Sequence, residues 1–166
     1  LVQGGCDINS QANKGGYTPL MLAIGIVPGA PAKHEAAIAL LEQGADVNQK
    51  TDLKINAIAL AASMDNARLL KMIVDRGADL NAEYWWLDSE MGVYLKGWTP
   101  LALAAKYGNL ENTKVLFDAG AKPGKGVHGL MLDPADNCLV YVRDKSSIYY
   151  AIESGDPELV KVFTDN

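Results

Sequence analysis

The chain is predicted to be an all-α repeat solenoid with two of its turns drawn out into β-hairpins, and three observations predict it. First, a closing phrase recurs: Gly-Cys-Asp-Ile-Asn at Gly5, Gly-Ala-Asp-Val-Asn at Gly44 and Gly-Ala-Asp-Leu-Asn at Gly77, with a degraded copy at Gly120, spaced 39, 33 and 43 residues apart. Second, an opening phrase alternates with it, intact in Gly-Tyr-Thr-Pro-Leu from Gly16 and Gly-Trp-Thr-Pro-Leu from Gly97, weaker from Lys54 and Lys145. Two phrases alternating on a base period of about 33 residues mark a stack of supersecondary units rather than a single folded core. Third, the length beyond that period sits where aromatic and β-branched residues flank turn chemistry, the signature of hairpins.

Each element follows from local chemistry. The partial unit at residues 1–15 ends in the first closing phrase, with Leu1 and Val2 placed at the end of a second helix. Thr18 precedes Pro19, so the threonine caps a helix whose first position needs no N–H, and helices are expected near 18–25 and 35–43. Between them, Ile26 to Pro31 carries two prolines and reads as a turn. The next pair is expected near 56–63 and 67–76, the first rich in alanine. Tyr84 to Leu87 and Val93 to Lys96 flank Asp88-Ser-Glu-Met-Gly92, so a hairpin is expected with Leu87 opposite Val93, Trp86 opposite Tyr94 and Trp85 opposite Leu95. Trp85, Leu87, Val93 and Leu95 would share one face; Tyr84, Trp86, Tyr94 and Lys96 the other.

Thr99 and Pro100 open another helix, whose small Ala104 and Ala105 let neighbouring units approach; Gly108 ends it, and a second helix follows through Leu110, Val115, Leu116 and Phe117 to Gly120. A second hairpin would join Val127–Leu132 to Cys138–Arg143 across Asp133 to Asn137, with Leu130, Leu132, Val140 and Val142 on one face. Its expected role is structural, shielding the edge of the first hairpin and extending a small sheet. Helices near 147–154 and 157–164 complete the chain. The organisation is one domain, 1–166, divided into the partial unit 1–15, units 16–53, 54–96 and 97–144, and a terminal helix pair 145–166.

These Thr-Pro-Leu openings, Ala-Ala pairs, mid-unit Gly108 and Gly155 and Gly-Ala-Asp-x-Asn closings resemble the ankyrin-repeat family over essentially the whole chain. The resemblance implies helix pairs followed by β-turn fingers, and a protein-binding role. Departures are informative. Where the family commonly places a histidine after Thr-Pro-Leu, this chain has Met21, Ala59, Ala102 and Tyr149, so that polar bridge between repeats is missing. Asn112 and Thr113 stand where an apolar pair is usual, and are expected to be partly solvated. Asn9, Asn48 and Asn81 resemble asparagines that an asparaginyl hydroxylase modifies in some ankyrin proteins.

Two phenylalanines but three tryptophans is an uneven aromatic inventory, and Trp85, Trp86 and Trp98 all lie between Tyr84 and Leu101. A hairpin standing off a scaffold buries one face well, and tryptophan and tyrosine dominate interface hot spots. Tyr84, Trp85, Trp86 and Tyr94 are therefore candidate partner-binding residues, set against a reading in which they form a local core. In the family, the residue before Thr-Pro lies on the exposed finger and contacts partners; here that series is Tyr17, Ile55, Trp98 and Lys145. With Lys106 and Tyr107 at the end of a first helix, Tyr17, Ile55 and Trp98 outline a concave patch.

Composition excludes other classes. A net charge of −5 without a basic stripe disfavours nucleic acid as a partner, and no apolar run reaches the eighteen or so residues that cross a bilayer. His34 and His128 lack ligand-spaced partners, and Cys6 and Cys138 have no CxxC spacing, so no metal, cofactor or catalytic residue is expected. Cys6 takes the place of an alanine and reads as a small buried residue. Asp46 and Asp79 belong to turns, where aspartate accepts backbone N–H groups. The expected function is a protein–protein interaction scaffold that is monomeric, cytoplasmic and not an enzyme, using a concave finger and first-helix surface. The alternative is a recruiting module cut from a larger multidomain enzyme or secreted effector.

Overall fold

The computed structural model describes residues 7–11, 14–25, 33–88, 93–132 and 139–165. Leu1, Val2, Cys6, the turn from Ile26 to Pro31 and the hairpin tips at 89–92 and 133–138, including Cys138, lie outside them. Among the described residues the helices come in pairs: α1 (Pro19–Ile24) with α2 (His34–Glu42), α3 (Ala57–Ser63) with α4 (Ala67–Val74), α5 (Pro100–Lys106) with α6 (Leu110–Asp118), and α7 (Ser147–Glu153) with α8 (Pro157–Thr164). First helices stack on first helices and second on second, so α1, α3, α5 and α7 form one layer and α2, α4, α6 and α8 the other.

The helix starts are built as their sequences require. The hydroxyl of Thr18 accepts from the Met21 amide at 3.3 Å, that of Thr99 from Ala102 at 3.2 Å, and the side-chain oxygen of Asn56 from Ala59 at 3.4 Å. Each satisfies one of the amides that a helix leaves without a partner in its first turn. Ala57, Ala59, Ala61 and Ala62 of α3 are all buried, and their small side chains let α1 and α5 close on either side. Leu20, Ile58, Leu101, Leu69, Ile73 and Leu116 belong to one continuous buried core that both layers share.

The closing phrases form a ladder of hydrogen bonds that joins successive units. Within each phrase the aspartate accepts from the asparagine amide two residues on: Asp7 from Asn9 at 2.9 Å, Asp46 from Asn48 at 2.8 Å, Asp79 from Asn81 at 3.1 Å. Each asparagine side chain then accepts from the following finger: Asn9 from the amide of Asp46 at 2.8 Å, Asn48 from Asp79 at 3.1 Å, Asn81 from Lys122 at 2.8 Å. The repeat period in sequence thus becomes a repeated hydrogen bond between units.

Asn112 and Thr113 correct the expectation of partial solvation, because both are buried. The Asn112 amide donates to the carbonyls of Ala61, Ala62 and Met64, and the Thr113 hydroxyl donates to Asn109 at 3.0 Å. Buried polar groups persist where partners exist, and here the C-terminal end of α3 supplies them for Asn112 and the start of α6 for Thr113.

Four strands make an antiparallel sheet in the order β1 (Tyr84–Asp88), β2 (Val93–Trp98), β3 (Val127–Leu132), β4 (Leu139–Lys145). β2 and β3 pair at Lys96 and His128, so the second hairpin does cover an edge of the first. Both registers differ from expectation by one residue. Leu87 faces Tyr94, Trp86 faces Leu95 and Trp85 faces Lys96, with a bulge before Trp85 that sets Tyr84 opposite Trp98. In the second hairpin Leu132 faces Leu139, Met131 faces Val140 and Leu130 faces Tyr141, which separates Leu130 and Leu132 from Val140 and Val142. A slip of one residue transfers every residue of one strand to the other face.

Candidate interaction surface

Alternation along the first hairpin, and the face it turns to the helices, decide which aromatics remain available. Alternation along β1 puts Tyr84 and Trp86 on the face turned to the helices, where both are buried together with Leu95 of β2. The Tyr84 hydroxyl donates to the side-chain oxygen of Asn56 at 2.9 Å, and the Trp86 indole N–H donates to the Tyr107 hydroxyl at 3.3 Å. Burial, reinforced by the nearby Asp79 carboxylate, pushes ionisation of Tyr84 far above the ordinary tyrosine range, with the Asn56 bond acting weakly in the opposite direction. This side of the hairpin is core, joined to the helix layers by hydrogen bonds at both aromatic tips.

Trp98 is also interior. Its ring stacks on Tyr150 at 4.7 Å between centroids and 28° between planes, and Lys106 Nζ lies 5.8 Å from the Trp98 ring and 5.6 Å from that of Tyr150. Ile55, the matching residue one unit earlier, is buried as well. The expectation that Ile55, Tyr84, Trp86 and Trp98 present their side chains to a partner therefore gives way: the helices behind the fingers are close enough to enclose them.

The opposite face of the hairpin stays open. Trp85 and Leu87 are 42% and 43% exposed, two residues apart on the same side of β1, and Lys96, across from Trp85, is exposed too. Tyr94 stands opposite Leu87 in the register, and its side chain lies outside the described ones. The Trp85 amide donates to the carbonyl of Leu53 at 3.4 Å, which ties this strand to the preceding finger and holds the patch in place. Tyr17, Lys106 and Tyr107 are half-buried along the ends of the first helices. Leu87 was absent from the sequence-based candidates although the period-2 alternation already placed it beside Trp85.

Among the described residues no three His, Cys, Asp or Glu side chains are grouped to hold a metal ion, and no helix is long and apolar enough to cross a membrane.

A family model for ankyrin repeats, in three copies, matches residues 29–127. Inversin from Gallus gallus is 29% identical over 107 residues, covering 64% of this chain and 8% of that protein. Inversin from Canis lupus familiaris is 30% identical over 162 residues, covering 98% of this chain and 12% of that protein. The chain thus spans only a small part of the length of the curated relatives it matches.

Proposed function

The chain belongs to the ankyrin-repeat family, whose members are generally protein-interaction modules, and on that premise we propose that it is a scaffold that grips a partner protein through the open face of its first hairpin. The observation that carries this reading is the Trp85–Leu87 pair, left exposed beside Lys96 on a hairpin whose other face is sealed into the core. Aromatic anchors on a rigid, preorganised support bind with little loss of conformational freedom, and such anchors dominate interface energetics. Half-buried Tyr17, Lys106 and Tyr107 extend the surface along the concave side. No catalytic role is assigned.

The test is a paired capture experiment with the wild-type protein and a Trp85→Ser/Leu87→Ser variant of unchanged helical circular dichroism. A protein retained by the first and lost from the second is then titrated in purified form, with a loss of binding of at least thirtyfold expected, equivalent to about 2 kcal/mol. Identical captured sets, or equal affinities for the purified protein, overturn the reading. The small share of each relative that the chain covers favours a second reading, in which the same surface serves to recruit a partner to a larger enzyme or effector.

A further inference from the structure

β1 is the outermost strand of the sheet, so one row of its backbone N–H and C=O groups faces away from β2. The cause lies in the interior of the chain. The unit before β1 is present, but its finger, residues 44–55, holds no strand, and among the described residues it bonds the backbone of β1 only from the Trp85 amide to the Leu53 carbonyl at 3.4 Å. That bond fixes a direction: the Trp85 N–H points away from β2. Directions alternate along a strand, so the N–H and C=O of Leu87 point the same way, past the end of the finger's contact. Edges of this kind are usually blunted by proline, lysine or a bulge. β1 reads Tyr-Trp-Trp-Leu-Asp, and its bulge falls between Tyr84 and Trp85, which leaves Leu87 in regular register with Tyr94. Trp85 and Leu87, whose side chains are exposed on the open face, thus also carry the outward backbone groups.

We propose that this edge takes an extended segment of a partner protein, which adds to the sheet as a further strand beside β1 and lays an apolar side chain against Leu87. The proposal rests on the reading that the open face of the first hairpin receives a partner, and it specifies the form that the partner takes there. Continuity with the sheet chooses the occupant. β2 already meets β3 of the next finger at Lys96 and His128, so this sheet grows from finger to finger by strand pairing, and β1 offers the same kind of edge to a finger that has no strand to give. A row of backbone donors and acceptors is satisfied by another extended backbone, while pockets for alternate side chains add specificity. A second copy of the chain fits less well. Pairing of two β1 strands about Trp86 would set Leu87 of one copy opposite Trp85 of the other, whose amide is already held by its own Leu53. A lone segment brings no such finger. Proline is excluded where the segment must donate to the Leu87 carbonyl, since it has no N–H.

The probe is a phage-displayed library of linear octapeptides, selected on the whole chain, with the enriched peptides then synthesised and titrated. They are expected to alternate apolar and polar residues and to lack central proline. N-methylation of every second amide of such a peptide is expected to weaken binding by about tenfold or more, and methylation of the intervening amides to leave it nearly unchanged, because one edge of the added strand faces β1 and the other faces solvent. On the protein side, Leu87→Ala keeps the N–H and Leu87→Pro removes it at an edge position where proline is tolerated, so the proline variant is expected to bind more weakly than the alanine one. Exchange of the Leu87 amide in the wild type is expected to slow about tenfold or more when the peptide binds, a readout that needs no variant to fold. A library that yields no binder overturns the proposal, as do binders indifferent to the methylation pattern that leave Leu87 exchange unchanged. If such binders are still lost from Trp85→Ser/Leu87→Ser, the open face remains the interaction surface and strand addition alone fails. Self-association of the chain without peptide, abolished by Leu87→Pro, assigns the edge to a second copy and overturns the proposed occupant.

Discussion

The side-chain amide of Asn112, in the second helix of its unit, reaches the backbone carbonyl of Met64 at the end of α3 in the unit before, at 2.5 Å. The same nitrogen also meets the carbonyls of Ala61 at 3.2 Å and Ala62 at 3.3 Å. Asn112 therefore closes the C-terminal end of a neighbouring helix, whose last carbonyls have no partner within the helix itself. Those carbonyls keep other donors, Met64 for Ala61, Asn109 for Ala62 and Asn66 for Met64, so truncation removes bonds without stranding every acceptor. Asn112→Ala is expected to lower stability by about 2 kcal/mol through lost hydrogen bonds and a small cavity. Asn112→Asp is expected to cost more, because a carboxylate aims lone pairs at three carbonyl oxygens. Urea denaturation decides it: a midpoint unchanged in both variants removes Asn112 as the link between the units.

Lys54 holds φ at 66°, the one non-glycine residue with positive φ among the described residues, at the position that Gly16 and Gly97 occupy in other units. The left-handed conformation crowds the Cβ of an L-residue at a cost of roughly 1–2 kcal/mol, which glycine avoids while gaining freedom in the unfolded chain. Lys54→Gly is accordingly expected to stabilise by about 0.5–1 kcal/mol, and Lys54→Ala to leave the strain in place. Thermal unfolding of the two variants side by side checks this, and a glycine variant that melts lower than the alanine one refutes it.

What could be read in advance divides along physical lines. Thr18-Pro19 and Thr99-Pro100 carry their helix starts within a few residues, so the helix pairs were legible locally. The hairpins were legible as hairpins, since Trp85 to Leu87 and Val93 to Leu95 favour strand wherever they sit. Their registers were not, because a turn one residue shorter or longer exchanges the faces and nothing in Asp88 to Gly92 dictates the count. Which face of the first hairpin turns to the helices was not legible either, so Trp86 stood as a candidate for a partner beside Trp85, and it proved to donate to Tyr107. Asn112 was misjudged for a different reason: its acceptors lie 48 to 51 residues away in sequence, and a polar residue looks solvated until its distant partner is known.

Tyr84 links stability to alkaline pH. Its hydroxyl ionises near pH 10 when solvated, and far higher in the buried site beside Asp79. The folded state thus holds this proton more tightly than the unfolded state. Its contribution is complete below pH 10 and falls as pH rises above it, by about 1.4 kcal/mol per unit. Tyr84→Phe, which removes the bond to Asn56, is expected to be about 1 kcal/mol less stable at pH 8. That gap should narrow between pH 10 and 11, because the variant lacks the titration. Urea midpoints at pH 8, 10 and 11 measure both effects; a gap constant with pH contradicts the buried, neutral tyrosine.

The finger ladder predicts unequal costs for chemically identical substitutions. Asn48 makes two cross-unit bonds, accepting from the Asp79 amide at 3.1 Å and donating to the Gly77 carbonyl at 3.0 Å. Asn81 accepts from the Lys122 amide at 2.8 Å. All are exposed, so each bond stands at the modest end of the usual range, and Asn48→Ala is expected to cost about 1 kcal/mol and Asn81→Ala about half that. The local signature is sharper than the global one. Hydrogen exchange of the Asp79 amide should accelerate severalfold in Asn48→Ala and not in Asn81→Ala, while the Lys122 amide shows the reverse. Because each asparagine protects an amide about thirty or more residues ahead, acceleration confined to the substituted finger would mean that the rungs act within fingers and do not couple successive units.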